Sequence, residues 1–101
     1  MDSDDDTPLN TRLVRVYGRV QGVGYRHACV QQALALGITG SVRNRMDDSV
    51  EAMLQGTPRQ LALMCTWMRD DMPAALVERM DTTELPPPFP KFDRFEQRPT
   101  A

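Results

Sequence analysis

A short glycine-rich stretch, GRVQGVGYR at residues 18–26 (the glycine loop), separates two segments with different periodicities. Residues 12–17 before it alternate and are rich in β-branched side chains, a pattern that predicts a strand. Residues 25–36 after it place apolar side chains at three- and four-residue spacing, which predicts a helix that stops at Gly37. A strand that enters a helix through this loop is therefore the first unit of the fold.

The remaining elements complete a strand–helix–strand–strand–helix–strand order. TPRQ at residues 57–60 combines an N-cap Thr, a Pro at the first helical position and a Gln three residues past the cap. This capping box predicts the start of the second helix, and Pro73 is predicted to close it. The proline run at residues 86–90 cannot form regular structure, because proline has no N–H to donate. The other strands of this order are predicted at residues 41–45, 49–55 and 76–85, and a final short strand is predicted after them at 92–98.

This order predicts an α+β ferredoxin-like βαββαβ sandwich, with one antiparallel sheet and two helices on one face. A chain of 101 residues has room for one domain, which we place at residues 12–101. Residues 1–11 contain four Asp and no Lys or Arg, and they are predicted to be a disordered acidic tail.

The composition is that of an ordinary globular protein, with 41% hydrophobic and 26% charged residues. No apolar run approaches the roughly 18 residues of a membrane span, and the N-terminus lacks the pattern of a secretion signal. We therefore expect a cytoplasmic protein without a membrane partner. With the tail set aside, ten acidic residues stand against twelve basic ones, and this charge of about +2 falls short of a nucleic-acid-binding surface.

The two cysteines, Cys29 and Cys65, and the single histidine, His27, lack the spacing of a zinc site. In a cytoplasmic protein the cysteines are predicted to be buried, reduced thiols. Catalysis by a Ser or Cys triad also has little support from one histidine. The chemistry is therefore expected to need no metal, no cofactor and no histidine.

The glycine loop has the features of an anion-binding site. A loop that runs into a helix N-terminus can point several backbone N–H groups at one anion, and the helix dipole adds positive potential there. His27 stands where a dinucleotide fingerprint has its third glycine, and the Gly-Lys-Ser/Thr ending of a nucleotide P-loop is missing. A single phosphoryl group is therefore favoured over a nucleotide.

Two side chains are candidates for the chemistry. Arg26 in the first helical turn is disfavoured by the dipole by roughly 0.3–1 kcal/mol, but a bound anion would reverse this effect. The alternatives are a surface arginine at Arg26 and a solvent-facing or packed histidine at His27. Asn44 ends a predicted strand before a turn, where Asn is common for backbone reasons, but its amide could also orient a water molecule.

The glycine loop and several later segments closely resemble the acylphosphatase family, roughly from residue 13 to residue 99. The later segments are GSVRN at 40–44, SVEA at 49–52, QG at 55–56, PAALV at 73–77 and FEQR at 95–98. The resemblance implies a metal-free, cofactor-free hydrolase that cleaves acyl phosphates to a carboxylate and inorganic phosphate. We expect it to act as a monomer on a small-molecule substrate.

The resemblance also implies residue roles. Arg26 would bind the phosphoryl group, and Asn44 would position the attacking water. The backbone that lines the phosphate site with Arg26 would come from Gly22, Val23, Gly24 and Tyr25.

Three positions depart from the family pattern. Ser41 stands where Trp is usual, Asp48 where Gly is usual in the hairpin, and Gln97 where an apolar residue is expected. These departures bear on stability and hairpin geometry more than on catalysis.

Two other functions fit the same element order. RNA-recognition domains share it, but they stack bases on aromatic residues of the central strands. Residues 49–55 have no aromatic residue, and the first strand has only Tyr17. The second alternative is an acylphosphatase-like domain that binds phosphate or a partner protein without turnover, which would be expected to have lost Arg26 or Asn44.

Overall fold

The computed structural model describes residues 9–72 and 74–101, which form five strands and two α-helices. A single π-helical turn, Trp67–Asp71, continues the second helix. In chain order the elements are β1 (Asn10–Arg19), α1 (Tyr25–Leu36), β2 (Thr39–Asn44), β3 (Val50–Gly56), α2 (Pro58–Thr66), β4 (Leu76–Leu85) and β5 (Phe95–Gln97).

The strands form one sheet in the order β4-β1-β3-β2-β5. This arrangement confirms the predicted α+β ferredoxin-like fold, but the prediction of a wholly antiparallel sheet is wrong at β5, which pairs in parallel with β2. The reason is the path of the chain. β4 ends opposite the start of β1, so the segment after it crosses the sheet at that end, and β5 then runs in the direction of β1 and β2.

The core lies between the two helices and one face of the sheet. Alternate strand residues such as Val14, Val16, Ala52 and Leu54 point towards the helices and are fully buried. Cys29, Ala33, Leu61 and Met64 contribute the matching helical side chains. The opposite face of the sheet carries charged residues, with Arg43 and Glu51 paired at 3.0 Å between nitrogen and oxygen.

Both helices begin where local signals predict, and α1 also ends there. Helix α1 has the predicted bounds, and Gly37 ends it with a left-handed φ of 77°. The capping box of α2 is confirmed: the Gln60 N–H donates to Thr57 Oγ1 at 3.2 Å, and the Thr57 N–H donates to Gln60 Oε1 at 2.8 Å.

The outer strands differ from prediction at their ends. Asn10 and Thr11, assigned to the tail from sequence, form the start of β1, where Thr11 is buried and accepts a hydrogen bond from Gln55 Nε2 at 3.0 Å. β5 is shorter than predicted because Gln55 also binds the backbone of Pro90 and Phe92, and so holds that segment away from β2. The tail prediction for residues 1–8 and the role of Pro73 lie outside the described residues.

The β2–β3 hairpin loop (residues 45–49) is closed by the Arg45 N–H, which donates to the Ser49 carbonyl at 2.8 Å. Ser49 donates its hydroxyl and its N–H to the Asp47 carboxylate, and these hydrogen bonds hold the pKa of Asp47 below its usual value. Asp48 follows with a φ of 71°, a left-handed conformation that favours glycine.

We expect Asp48→Gly to raise the free energy of unfolding by about 0.5–1 kcal/mol, since glycine removes the left-handed penalty at some cost in chain entropy. Urea denaturation of both proteins at one pH measures the difference. Asp47→Gly is the control and should lower stability, because it removes the carboxylate that accepts from Ser49. A lower stability for Asp48→Gly would contradict the strain argument.

Candidate active site

The glycine loop turns twice in the left-handed region before α1 begins. Gly22 has a φ of 75° and Gly24, the N-cap of α1, has a φ of 79°. An ideal Cβ built on either residue meets nothing within 4 Å, so positive φ rather than crowding calls for glycine here. The same open space leaves the backbone accessible to a ligand.

The N-terminus of α1 carries unsatisfied donors. Its first backbone hydrogen bond runs from the Ala28 N–H to the Gly24 carbonyl at 3.0 Å, so the N–H groups before Ala28 have no partner within the helix. No side chain of the described residues caps this end, and its first turn contains no acidic residue. Together with the helix dipole, these donors favour an anion.

A pocket of about 130 Å³ opens at this helix end. That volume lies below the roughly 300–1,000 Å³ of pockets for drug-sized ligands, so it suits one phosphoryl group better than a nucleotide. The residues that line it are Val20, Gly22, Gly24, Tyr25, Arg26, His27, Asn44 and Gln97.

Most of the predicted site residues meet in this pocket, although they come from distant parts of the chain. Arg26 and Asn44 both line it, with the backbone of the glycine loop. Val23 does not line it, and its side chain packs against the core instead.

Sequence reasoning missed Gln97, because only the parallel register of β5 places it beside Val42, two residues before Asn44. His27 also lines the pocket, and its side chain is exposed. The only sequence feature that indicated this place for His27 is its position directly after Arg26.

Arg26 differs from the other half-buried arginines. Five arginines of the described residues are half-buried, and four of them contact a carboxylate. The four are Arg12, Arg15, Arg43 and Arg45. The Arg26 guanidinium contacts no carboxylate among residues 9–72 and 74–101, and Arg26 lines the pocket. Such a group is suited to bind an anion with two parallel hydrogen bonds.

Asn44 is the last residue of β2, at the end of the sheet towards which β1 also runs. Its carbonyl accepts a hydrogen bond from the Ala101 N–H at 3.2 Å, which fixes its backbone. Its side chain lies on the same face of the sheet as Val42, the face covered by the helices. Asn44 therefore lines the pocket from the end of β2, whereas Arg26 lines it from the first turn of α1.

The side chains of Tyr25 and Cys29 are buried in the core beside the site and do not supply reactive groups. The Tyr25 hydroxyl donates to the Met68 carbonyl at 2.7 Å and so connects the first turn of α1 to the π-helical turn after α2. Burial raises the pKa of the Tyr25 hydroxyl and the pKa of the Cys29 thiol, so both stay protonated at neutral pH. Cys29 and Cys65 are both buried and unlinked, as predicted.

Within the described part of the chain, no three His, Cys, Asp or Glu side chains come together where a metal ion could bind. None of the described helices is both long enough and apolar enough to cross a membrane.

The fold and the pocket together define a ferredoxin-like protein with a small pocket at the uncapped N-terminus of its first helix. The family model for acylphosphatase matches residues 13–97. Acylphosphatase 1 of Ralstonia nicotianae is 67% identical over 98 residues, which cover 97% of this chain and 96% of that protein. The acylphosphatase of Polaromonas naphthalenivorans is 54% identical over 99 residues, 98% of each chain.

Among solved structures, the crystal structure of acylphosphatase from Bacillus subtilis superposes with a TM-score of 0.81 at 30% identity, covering 90% of this chain and 99% of that one. The chain belongs to the acylphosphatase family, as the sequence resemblance implied, and it is a hydrolase that acts on acyl phosphates.

Proposed function

We propose that this acylphosphatase works without a metal, with the backbone of residues 22–26 and the Arg26 side chain binding the phosphoryl group while Asn44 positions the attacking water. The observation that carries the proposal is Arg26, a half-buried cation whose charge is not neutralised by a carboxylate of the described residues. It shares one small pocket with the uncapped end of α1 and with Asn44.

The positive charge needed for phosphoryl transfer comes from the protein itself. Charge on the three equatorial oxygens of the transferring group is stabilised by the N–H groups of the α1 N-terminus and by the guanidinium of Arg26. These donors are fixed before the substrate arrives, so they need no reorganisation during the reaction. They take the part that a metal ion plays in many other phosphoryl-transfer enzymes.

The water attacks from the Asn44 side of the pocket. An amide both donates and accepts, so Asn44 can hold a water with a lone pair directed at phosphorus. The water oxygen forms a bond to phosphorus as the bond to the acyl oxygen breaks, and a phosphate oxygen takes the proton. The carboxylate leaves without help from a general acid because an acyl phosphate is a mixed anhydride.

The acyl group of the substrate lies outside the pocket, which has room for little more than the phosphoryl group. At the rim stand His27 and Gln97, whose side chains are both exposed. They are the residues that an acyl group would contact on leaving the pocket.

The test is steady-state hydrolysis of benzoyl phosphate by purified protein with EDTA and no added metal. Turnover should be the same with and without the chelator, because no step uses a metal. A loss of activity with EDTA that Mg²⁺ restores would contradict the metal-free part of the proposal. Folded protein with no turnover in either buffer would contradict the whole and favour a phosphate-binding or partner-binding domain.

We also propose that the protein is a monomer of the cytoplasm with no nucleic-acid partner. Its two buried thiols are unlinked, which suits a reducing compartment. In the hydrolysis experiment the activity should elute from a sizing column as a particle of 11.4 kDa, and elution at twice that mass would contradict the monomer.

A further inference from the structure

One side chain of the glycine loop connects it to the strand end that carries Asn44. Gln21 is half-buried, and its Nε2 donates to the Arg45 carbonyl at 2.9 Å and to the Ser49 carbonyl at 2.9 Å. Both amide hydrogens are used, and two carbonyl acceptors fix which end of the amide faces the hairpin.

The two carbonyls lie at the neck of the β2–β3 hairpin loop, directly after Asn44. The Arg45 N–H closes this neck on the Ser49 carbonyl, so Gln21 and the neck form one hydrogen-bonded unit. Arg15 Nε also donates to Ser49 Oγ at 2.9 Å, but Arg15 belongs to β1 and not to the glycine loop. Among the described residues, Gln21 alone makes a side-chain hydrogen bond between the glycine loop and this hairpin.

We propose that Gln21 is a positioning residue that sets the distance between the phosphate site and the water held by Asn44. This inference rests on the proposed function of Arg26 and Asn44. The two halves of the site come from different elements, and a shift of about 1 Å between them is enough to cost about 100-fold in rate. Gln21 does not line the pocket, so it acts through the elements it joins.

The test is a double-mutant cycle between Gln21→Met and Asn44→Ala. Methionine keeps the length of the side chain but cannot donate, so packing is retained while both hydrogen bonds are lost. We expect kcat for benzoyl phosphate to fall about 10- to 100-fold, with the inhibition constant of inorganic phosphate unchanged within about twofold. In the Asn44→Ala background the same change should lower kcat by less than about threefold, because the misplaced group is already gone.

A matched control and a second variant complete the design. Gln31→Met changes an exposed glutamine on α1 and should leave kcat unchanged. If Gln21→Met does not fold, as judged by circular dichroism, Gln21→Glu keeps the shape and removes the donors, and it takes its place in the cycle.

Three results would overturn the inference. The first is an equal loss of kcat from Gln21→Met in both backgrounds, which would mean that Gln21 does not act through Asn44. The second is weaker phosphate binding in proportion to the loss of rate, which would make Gln21 part of the phosphate site. The third is full activity of Asn44→Ala alone, which would overturn the proposed function as well and is thereby distinguished from the other two.

Discussion

Arg26→Ala is expected to abolish measurable binding of inorganic phosphate and to lower kcat/KM for an acyl phosphate by at least about 10³-fold. Removal of one neutral donor to a developing oxyanion costs about 10²–10³ in rate, and a charged, bidentate donor contributes more. The guanidinium contacts the phosphoryl group in the ground state and more strongly in the transition state, so its loss should raise KM and lower kcat. Steady-state kinetics with benzoyl phosphate and product inhibition by phosphate measure both effects.

The chain offers a close control for this substitution. Arg59 also lies in the first turn of a helix and contacts no carboxylate among the described residues, but it is exposed and outside the pocket. Arg59→Ala should therefore leave both kinetic constants unchanged. Arg26→Lys should recover only part of the phosphate affinity, since an ammonium keeps the charge without the planar fork. Full activity of Arg26→Ala in folded protein would contradict the proposed phosphate site.

Features that depend on neighbouring residues could be predicted from the sequence. Both helix starts are examples, since the capping box at Thr57 and the glycine loop before Tyr25 act within a few residues. The direction of β5 could not be predicted in this way. The direction depends on which end of the sheet β4 reaches, and the length of β5 depends on the hydrogen bonds of Gln55 to Pro90 and Phe92. Both are contacts between distant segments.

The same division applies to the pocket. Arg26 and the glycines lie in one continuous motif, so this part of the pocket lining could be predicted from the sequence. Gln97 and the link from Gln21 to the hairpin depend on strand register and loop packing, for which the sequence has no local signal. Asn44 is an intermediate case. The family resemblance indicated its role, but an Asn at the end of a strand is also typical of a turn.

Two departures from the family pattern have a simple structural outcome. Ser41 lines a groove of about 350 Å³ on the charged face of the sheet. An open groove is expected there, because Ser is small and the family usually has Trp at this position. Gln97 is exposed, and the buried residue of β5 is Phe95. The polar residue at position 97 therefore buries no unpaired amide in the core, and its place is the rim of the pocket.

The second large effect is expected at Asn44. Asn44→Ala should lower kcat by about 10²–10³-fold while the inhibition constant of inorganic phosphate stays within about threefold of its original value. The reason is the proposed division of roles: the glycine loop and Arg26 bind the phosphoryl group, whereas Asn44, at the end of β2, holds only the water. Asn10→Ala, at the opposite end of the sheet, is a control that should leave kcat unchanged.

The comparison of Asn44→Ala with Arg26→Ala decides between two descriptions of the site. If Asn44 holds only the water, its loss slows the chemical step and leaves phosphate affinity intact, whereas the loss of Arg26 removes both. If Asn44→Ala weakens phosphate binding as severely as Arg26→Ala, the amide contacts the phosphoryl group itself, and the roles proposed for the two residues are not separate. Phosphate titrations followed by NMR at the backbone amides of Gly22, Gly24 and Tyr25 distinguish these cases without turnover, because those amides should still shift in Asn44→Ala and should not shift in Arg26→Ala.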